Sequence, residues 1–262
     1  MSLVDANRLD RHAYVDSIVH RLDPRAKVLA TLVFILTVVS FDKYTVAPLL
    51  PFLFLPVVIA ARGFVPVGLI LRRFAVTLPF ILLVGIFNPL LDRTAMVQIA
   101  GLGISGGWVS FTSIFLRGLL CVTAGIVLID TTRLPMVAEA LGGLHFPRAL
   151  VVQLLLLYRY LFVLMDEAGR MRRARALRAG TRKVSIRHAA GMLSSLLLRT
   201  VDRSEAIWRA MLARGFEGEL RSPIRLRWHL ADTVFLALVL VACVALRMHP
   251  IADRLGEWIL NL

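Results

Sequence analysis

Asp166-Glu167-Ala168-Gly169-Arg170-Met171-Arg172-Arg173-Ala174-Arg175-Ala176-Leu177-Arg178-Ala179-Gly180 opens the stretch whose reading decides how this chain is threaded. From Asp166 to Arg227 the sequence carries 15 of its 31 Lys and Arg residues against six acids, +9 of a net charge of +14. Apolar runs flank it on both sides. Hydrophobic residues make up 58% of the 262 residues, above the half that is usual for a soluble domain. They are gathered into Val28–Phe41, Tyr44–Ala61, Phe74–Leu91, Trp108–Ile129, Ala149–Met165 and Leu230–Leu246. Most of these runs reach 17–22 residues, enough at ~1.5 Å per residue to cross ~30 Å of hydrocarbon. Val28–Phe41 is shorter and needs its flanks to complete a span. The fold class is therefore all-α, a polytopic membrane bundle.

The cations then set the topology. Arg8, Arg11, Arg21, Arg25 and Lys27 precede the first run, Lys43 alone follows it, Arg62, Arg72 and Arg73 occupy the second loop, and Arg93 the third. Loops rich in Lys and Arg stay on the cytosolic side, so the N-terminus is expected inside and the chain back in the cytosol near Asp130. If Ala149–Met165 were a full span, the 15-cation stretch would lie outside. The reading is thus five spans, with Ala149–Met165 interfacial or packed from the cytosolic side; six spans is the alternative. Residues 1–130 form the N-terminal segment and four spans, 131–228 a cytosolic or interfacial module, and 229–262 the last span and tail, where Trp258 is a candidate interfacial anchor. In this setting the positive charge points to anionic lipid rather than nucleic acid. No cleavable signal sequence is expected in the charged first 27 residues.

Within the module, Pro147 suits a helix start, and no proline interrupts Arg148 to Ala179. Gly180 suits a left-handed helix stop. A second helix is predicted from Val184 to Ala213 or Arg214, with an apolar stripe at Ala189, Leu193, Leu196, Thr200, Ile207 and Met211. Gly215 ends it and Pro223 bars its continuation. Two such helices are expected to cross and bury their apolar faces against each other. Each ends in an arginine beside small residues: Leu177-Arg178-Ala179-Gly180 and Ala213-Arg214-Gly215. A cation at a helix C-terminus is favourable in itself, by ~0.3–1 kcal/mol. Two planar guanidinium groups at two helix tips are also suited to pair bidentately with carboxylates on a partner.

These residues carry a resemblance to the transmembrane T component of energy-coupling factor (ECF) transporters, in its cobalt-type CbiQ branch. His20-Arg21-Leu22-Asp23-Pro24-Arg25-Ala26-Lys27 resembles the family's Leu-Asp-Pro-Arg approach to the first span. Leu156 to Glu167 resembles the start of its first coupling helix. Arg203-Ser204-Glu205 through Gly215-Phe216 resembles the second, ending in Ala-Arg-Gly; the first signature departs from that pattern as Leu177-Arg178-Ala179. The resemblance implies a non-catalytic scaffold. Two ABC-type ATPases (CbiO-like) would each receive one arginine tip, Arg178 or Arg214. A CbiM-like capture subunit, with a small CbiN-like subunit, would carry Co²⁺, so ATP and Co²⁺ would both be handled by partners and no cofactor by this chain. Ni²⁺ or a vitamin is the alternative cargo.

The remaining residues agree with a scaffold. The histidines His12, His20, His145, His188, His229 and His249 are scattered, without ligand spacing to Cys or carboxylates. No Gly-x-x-x-x-Gly-Lys-Ser/Thr loop is present. Cys121 and Cys243 read as buried small hydrophobes. Asn88-Pro89 is expected to end the third span, and Gly101 to Gly107 to form an irregular connection. Arg117, inside an apolar run, is a candidate functional residue or else a structural pair. Asp23 and Arg25 could cap a helix or, by the resemblance, contact the module. A membrane enzyme would need a polar cluster at the span ends. A self-contained secondary transporter would need paired ionisable groups and inverted repeats; neither pattern is seen.

Overall fold

A computed structural model of the chain describes residues 17–91, 95–99, 102–179, 185–218 and 226–248. Gly180, Pro223 and Trp258 lie outside them. The chain divides into two units, His12–Arg133 with Leu226–Leu262, and Leu134–Arg225 with Met1–Arg11. The first contains α1 (Ile18–Arg21), α2 (Pro24–Val39), a 3-10 helix (Ala47–Leu53) running into α3 (Phe54–Arg62), α4 (Val67–Leu91), a β1–β2 hairpin (Ala95–Ile99, Leu102–Ser105), α5 (Gly106–Thr131) and α9 (Leu230–Met248). The second contains α6 (Leu134–Gly143), α7 (Arg148–Ala179) and α8 (Ile186–Ala213).

The bundle core is built from short stripes, each on one helix face: Ala30, Phe34 and Val38 of α2, Leu116, Leu120 and Ala124 of α5, Val239 and Cys243 of α9. The i, i+4 spacing stacks these side chains one above another. Phe52 of the 3-10 helix fills the space between them, 6.1 Å from Phe34 and 5.5 Å from Phe41, centroid to centroid. Pro48 and Pro51 both fall within this 3-10 segment and neither has an amide to donate. That geometry also helps this short segment. At ~2.0 Å per 3-10 residue and ~1.5 Å per α residue, Ala47–Arg62 reaches roughly 28 Å. The outward faces remain apolar: Val76, Phe80, Leu83 and Phe87 of α4 are all more than half exposed. An apolar stripe of that size on a bundle surface is suited to lipid, not water.

Long-range bonds give the direction of each helix. Asp23 N–H donates to Asp232 Oδ1 at 2.7 Å, joining the starts of α2 and α9, and Arg247 reaches the Ser40 carbonyl at 3.5 Å near their ends. The two helices are parallel. Lys27 Nζ donates to the carbonyl of Thr131 at 3.0 Å, and Ser113 Oγ to that of Thr45 at 2.8 Å, so α5 runs the other way. Arg73 pairs with Asp130 at 2.5 Å, which sets α4 antiparallel to α5. A Cβ on Gly63 would lie 3.1 Å from Thr131 Cγ2, which puts the end of α3 there too. The starts of α2, α4 and α9 and the ends of α3 and α5 therefore share one end of the bundle.

That arrangement fixes the parity. The chain leaves the bundle after α5 and returns at α9 at the same end, so residues 134–225 cross the membrane an even number of times. By length and composition Arg148–Arg178 could cross, as could Val67–Pro89, Gly106–Thr131 and Leu230–Met248. A paired crossing by α8 would bring Arg199, Asp202, Arg203, Glu205 and Arg209 into hydrocarbon, which is strongly disfavoured.

Several boundaries differ from the sequence reading. The third span begins at Val67, so Arg72 and Arg73 are helical, and α4 continues through Pro89 to Leu91. The glycine-rich connection is a β-hairpin with a register shift between Ala95 and Val97. α6 is a short helix not foreseen. α7 spans Arg148–Ala179 as predicted, and α8 starts two residues after Val184, with Ser185 as its N-cap.

α4 and α5 approach closely at glycines. A Cβ on Gly118 would lie 2.8 Å from Ile81 Cδ1, and one on Gly85 2.9 Å from the Phe111 ring. Gly118→Leu and Gly85→Leu are each expected to destabilise the bundle by ~1–3 kcal/mol, the usual cost of overpacking, read as a lowered unfolding temperature in detergent.

Candidate functional site: two arginine-tipped helices

α7 carries 32 residues and α8 28. Their contact is local. It centres on Glu167, which accepts from Arg170 at 2.5 Å on its own helix and from Arg199 of α8 at 2.6 Å. Val163, Leu164, Leu196 and Thr200 surround that crossing. The two arginine bonds hold the Glu167 carboxyl below its usual range, the hydrogen bond from Arg170 contributing most. The expectation that the apolar faces bury each other is not met. α8 has no buried residue, and Leu193, Leu197, Val201, Trp208 and Leu212 are each at least half exposed. Contact confined to one crossing covers only the residues at that crossing and leaves the rest of each stripe open. Glu205–Arg209 pairs at 2.8 Å on the surface, as its spacing predicts.

Beyond the crossing the helices enclose an open, strongly basic cleft. It is lined by Arg170, Arg175, Arg178, Arg187, His188 and Arg199, with Glu167 as its acid. At the end of α8 the backbone forms a complete Schellman motif. Phe216 N–H bonds to the Met211 carbonyl at 3.0 Å and Gly215 N–H to that of Leu212 at 3.0 Å. Gly215 has φ +77°, the left-handed conformation that glycine, lacking a β-carbon, adopts at little cost. Phe216 turns back onto Trp208, 6.0 Å between rings. This geometry projects Arg214, the C-cap residue, as an exposed tip. Arg178 lies in the last turn of α7 with Leu177 beside it, 88% exposed. Among the described residues neither arginine has an ion-pair partner. Ala179 closes α7 and Ala213 closes α8, so the residue beside each guanidinium is small.

The other candidate residues sit in the bundle. Asp23 caps α2 by accepting from Arg25 N–H at 2.8 Å, with Pro24 at the first helical position. The hydrogen bonds of Asp23 run to Arg25 and Asp232, both in the bundle, and Arg25 Nε is buried without a partner among the described residues. Arg117 donates to the Asp42 carbonyl, fastening the loop after α2 to α5. Asp232 and the Glu167–Arg199 pair were missed. Asp232 did leave a trace in the sequence, as an acid in the first turn of an otherwise apolar helix.

Fold and site together define a multi-pass helical membrane protein whose second unit presents two basic, arginine-ended helices. Among the described residues no group of three His, Cys, Asp or Glu could hold a metal ion. A family model described as CbiQ, cobalt transport protein, matches residues 16–224. A cobalt transport protein CbiQ of Salmonella typhimurium is 33% identical over 114 residues, 39% of this chain and 51% of that protein. The energy-coupling factor transporter transmembrane protein EcfT of Streptococcus thermophilus is 26% identical over 88% of this chain and 94% of its own length. That of Listeria innocua is 28% identical over 87% and 92%. The chain belongs to the CbiQ family, and so to the transmembrane components of ECF transporters.

The crossing gives a pH expectation. A carboxyl depressed in the folded state contributes its stabilisation above its unfolded pKa and loses it as pH falls through the folded value. The crossing is therefore expected to hold from neutral pH down past the ordinary glutamate range near ~4.3 and to open only below it. Electron-spin distances between labels at Ala174→Cys and Ser195→Cys, in a background without Cys121 and Cys243, would show a constant separation until that point.

Proposed function

We propose that this chain is the transmembrane scaffold of an ECF-type importer that couples ATP hydrolysis by two cytosolic ABC-type ATPases to movement of a separate substrate-capture membrane subunit. One observation carries this reading: two long helices of one unit each end in an exposed arginine without an ion-pair partner among the described residues. In water such a tip gains little. Seated in a partner's groove opposite a carboxylate it makes bidentate, charge-assisted hydrogen bonds, and its planar fork also fixes orientation. The ATPases are CbiO-like, and each takes one tip. The capture subunit is CbiM-like, accompanied by a CbiN-like subunit, and uses the exposed leucines of α7 and α8 as its packing surface.

The cargo in this reading is Co²⁺, supported by the name of the family and of the Salmonella relative. The ion is held by the capture subunit. The chain lies in the plasma membrane with its N-terminus and the 134–225 unit in the cytosol. The charge distribution supports that orientation. Arg21, Arg25, Lys27, Arg62, Arg72, Arg73 and Arg133 lie at or beside the shared helix ends, whereas Lys43 and Arg247 are at the other end.

Co-purification with the ATPases tests the scaffold role. Hydrogen bonds to charged groups contribute ~1.5–3 kcal/mol, so Arg178→Ala and Arg214→Ala should each weaken ATPase association by roughly tenfold or more, with Arg→Lys recovering only part. The double variant should fail to assemble and should abolish Co²⁺ uptake. A double variant that assembles and transports like the wild type would show that these arginines do not couple.

A further inference from the structure

The first turn of α2 grips both points at which the 134–225 unit joins the bundle. On the outgoing side, α5 ends at Thr131, and Lys27 Nζ donates to the Thr131 carbonyl at 3.0 Å. A buried ammonium against the last carbonyl of a helix satisfies an orphan acceptor and meets the negative end of the helix dipole. One residue earlier, Asp130 is held by Arg73. On the returning side, α9 begins at Leu230, and Asp232 occupies its third position. Asp232 Oδ2 accepts from His229 N–H at 2.7 Å, the backward half of a capping box. Its other oxygen, Oδ1, accepts the Asp23 N–H at 2.7 Å. One carboxylate thus caps the start of α9 and ties it to the capping residue of α2. Asp232 is 1% exposed, Asp23 4% and Lys27 5%. Asp232 and Asp23 are also the acids whose field acts on Lys27.

We infer that Asp23, Lys27 and Asp232 form a clamp that couples the cytosolic unit mechanically to the membrane bundle, with Asp232 and Lys27 as positioning residues for transport. This rests on the scaffold reading above. The unit continues covalently into the bundle at residues 132–134 on one side and at residues 226–229 on the other. Both are pinned within one helical turn of each other on α2. A joint held by short, buried, charge-assisted bonds passes displacement on as movement of helices. A loose joint absorbs it as loop motion. The clamp touches neither arginine tip, so losing it should leave ATPase capture intact and dissipate the stroke.

The full complex in proteoliposomes tests this. Uptake of Co²⁺, or of Ni²⁺ if that is the ion the wild type accumulates, is measured together with ATP hydrolysis. Asp232→Ala and Lys27→Met should retain bound ATPases and hydrolyse ATP, while ions moved per ATP fall well below the wild-type ratio. Asp232→Asn is read alongside them, because it keeps the side-chain volume and one acceptor oxygen. It should show an intermediate loss. Lys27→Arg, which keeps the cation, should restore part of the ratio. Unchanged ions per ATP in Asp232→Ala and Lys27→Met would overturn the clamp. So would failure of all the Asp232 and Lys27 variants to accumulate in the membrane, since the cluster would then serve folding alone. Failure of the scaffold reading is separate: it appears as normal assembly of the Arg178, Arg214 double variant, whatever the clamp variants do.

Discussion

A helix that ends inside a low-dielectric bundle leaves amides and carbonyls that must find partners. The rest of this structure depends on how the first turn of α2 meets that requirement for three helices at once. Asp23 caps α2 itself. Its amide bonds the carboxylate that caps α9, and four residues later Lys27 closes α5. Because these bonds join starts to starts and a start to an end, they also determine which helices run parallel. The parity of the 134–225 unit follows from them. Charge bias reached the same parity by a separate route, the cost of moving cations across the bilayer.

The two units obey different physics. In the bundle, apolar stripes interlock and the outward faces suit lipid. In the 134–225 unit, α7 and α8 touch at one crossing held by a shared carboxylate and leave their leucines and arginines uncovered. A long helix with no buried residue takes little of its stability from tertiary packing. In α8 its caps contribute instead, Ser185 at one end and the Schellman turn at the other. Such a helix leaves its apolar stripe uncovered, as the proposed scaffold role requires.

Much of this was legible from local pattern. The span of α7, the stop at Gly215 and the terminal arginines follow from helix periodicity, glycine conformation and charge, each confined to a few neighbouring residues. The burial of Cys243 and the cap at Asp23 were legible in the same way. The 3-10 start at Ala47 lies inside one continuous apolar run, which carries no periodic mark of it. The hairpin at Ala95–Ser105 and the helix at Leu134 were missed because short elements among glycines or between longer helices carry little periodic signal.

By itself, then, the sequence determined a multi-span helical protein with two long, basic, arginine-ended helices. Those features depend on composition and on spacings of three or four residues. Only the tertiary structure decided that Asp232 meets Asp23 across 209 positions, that Lys27 closes α5, that Glu167 takes Arg199, and that the apolar faces of α7 and α8 stay open. Each is a choice of partner between distant segments, made by which helix ends converge in space, and no local pattern encodes it.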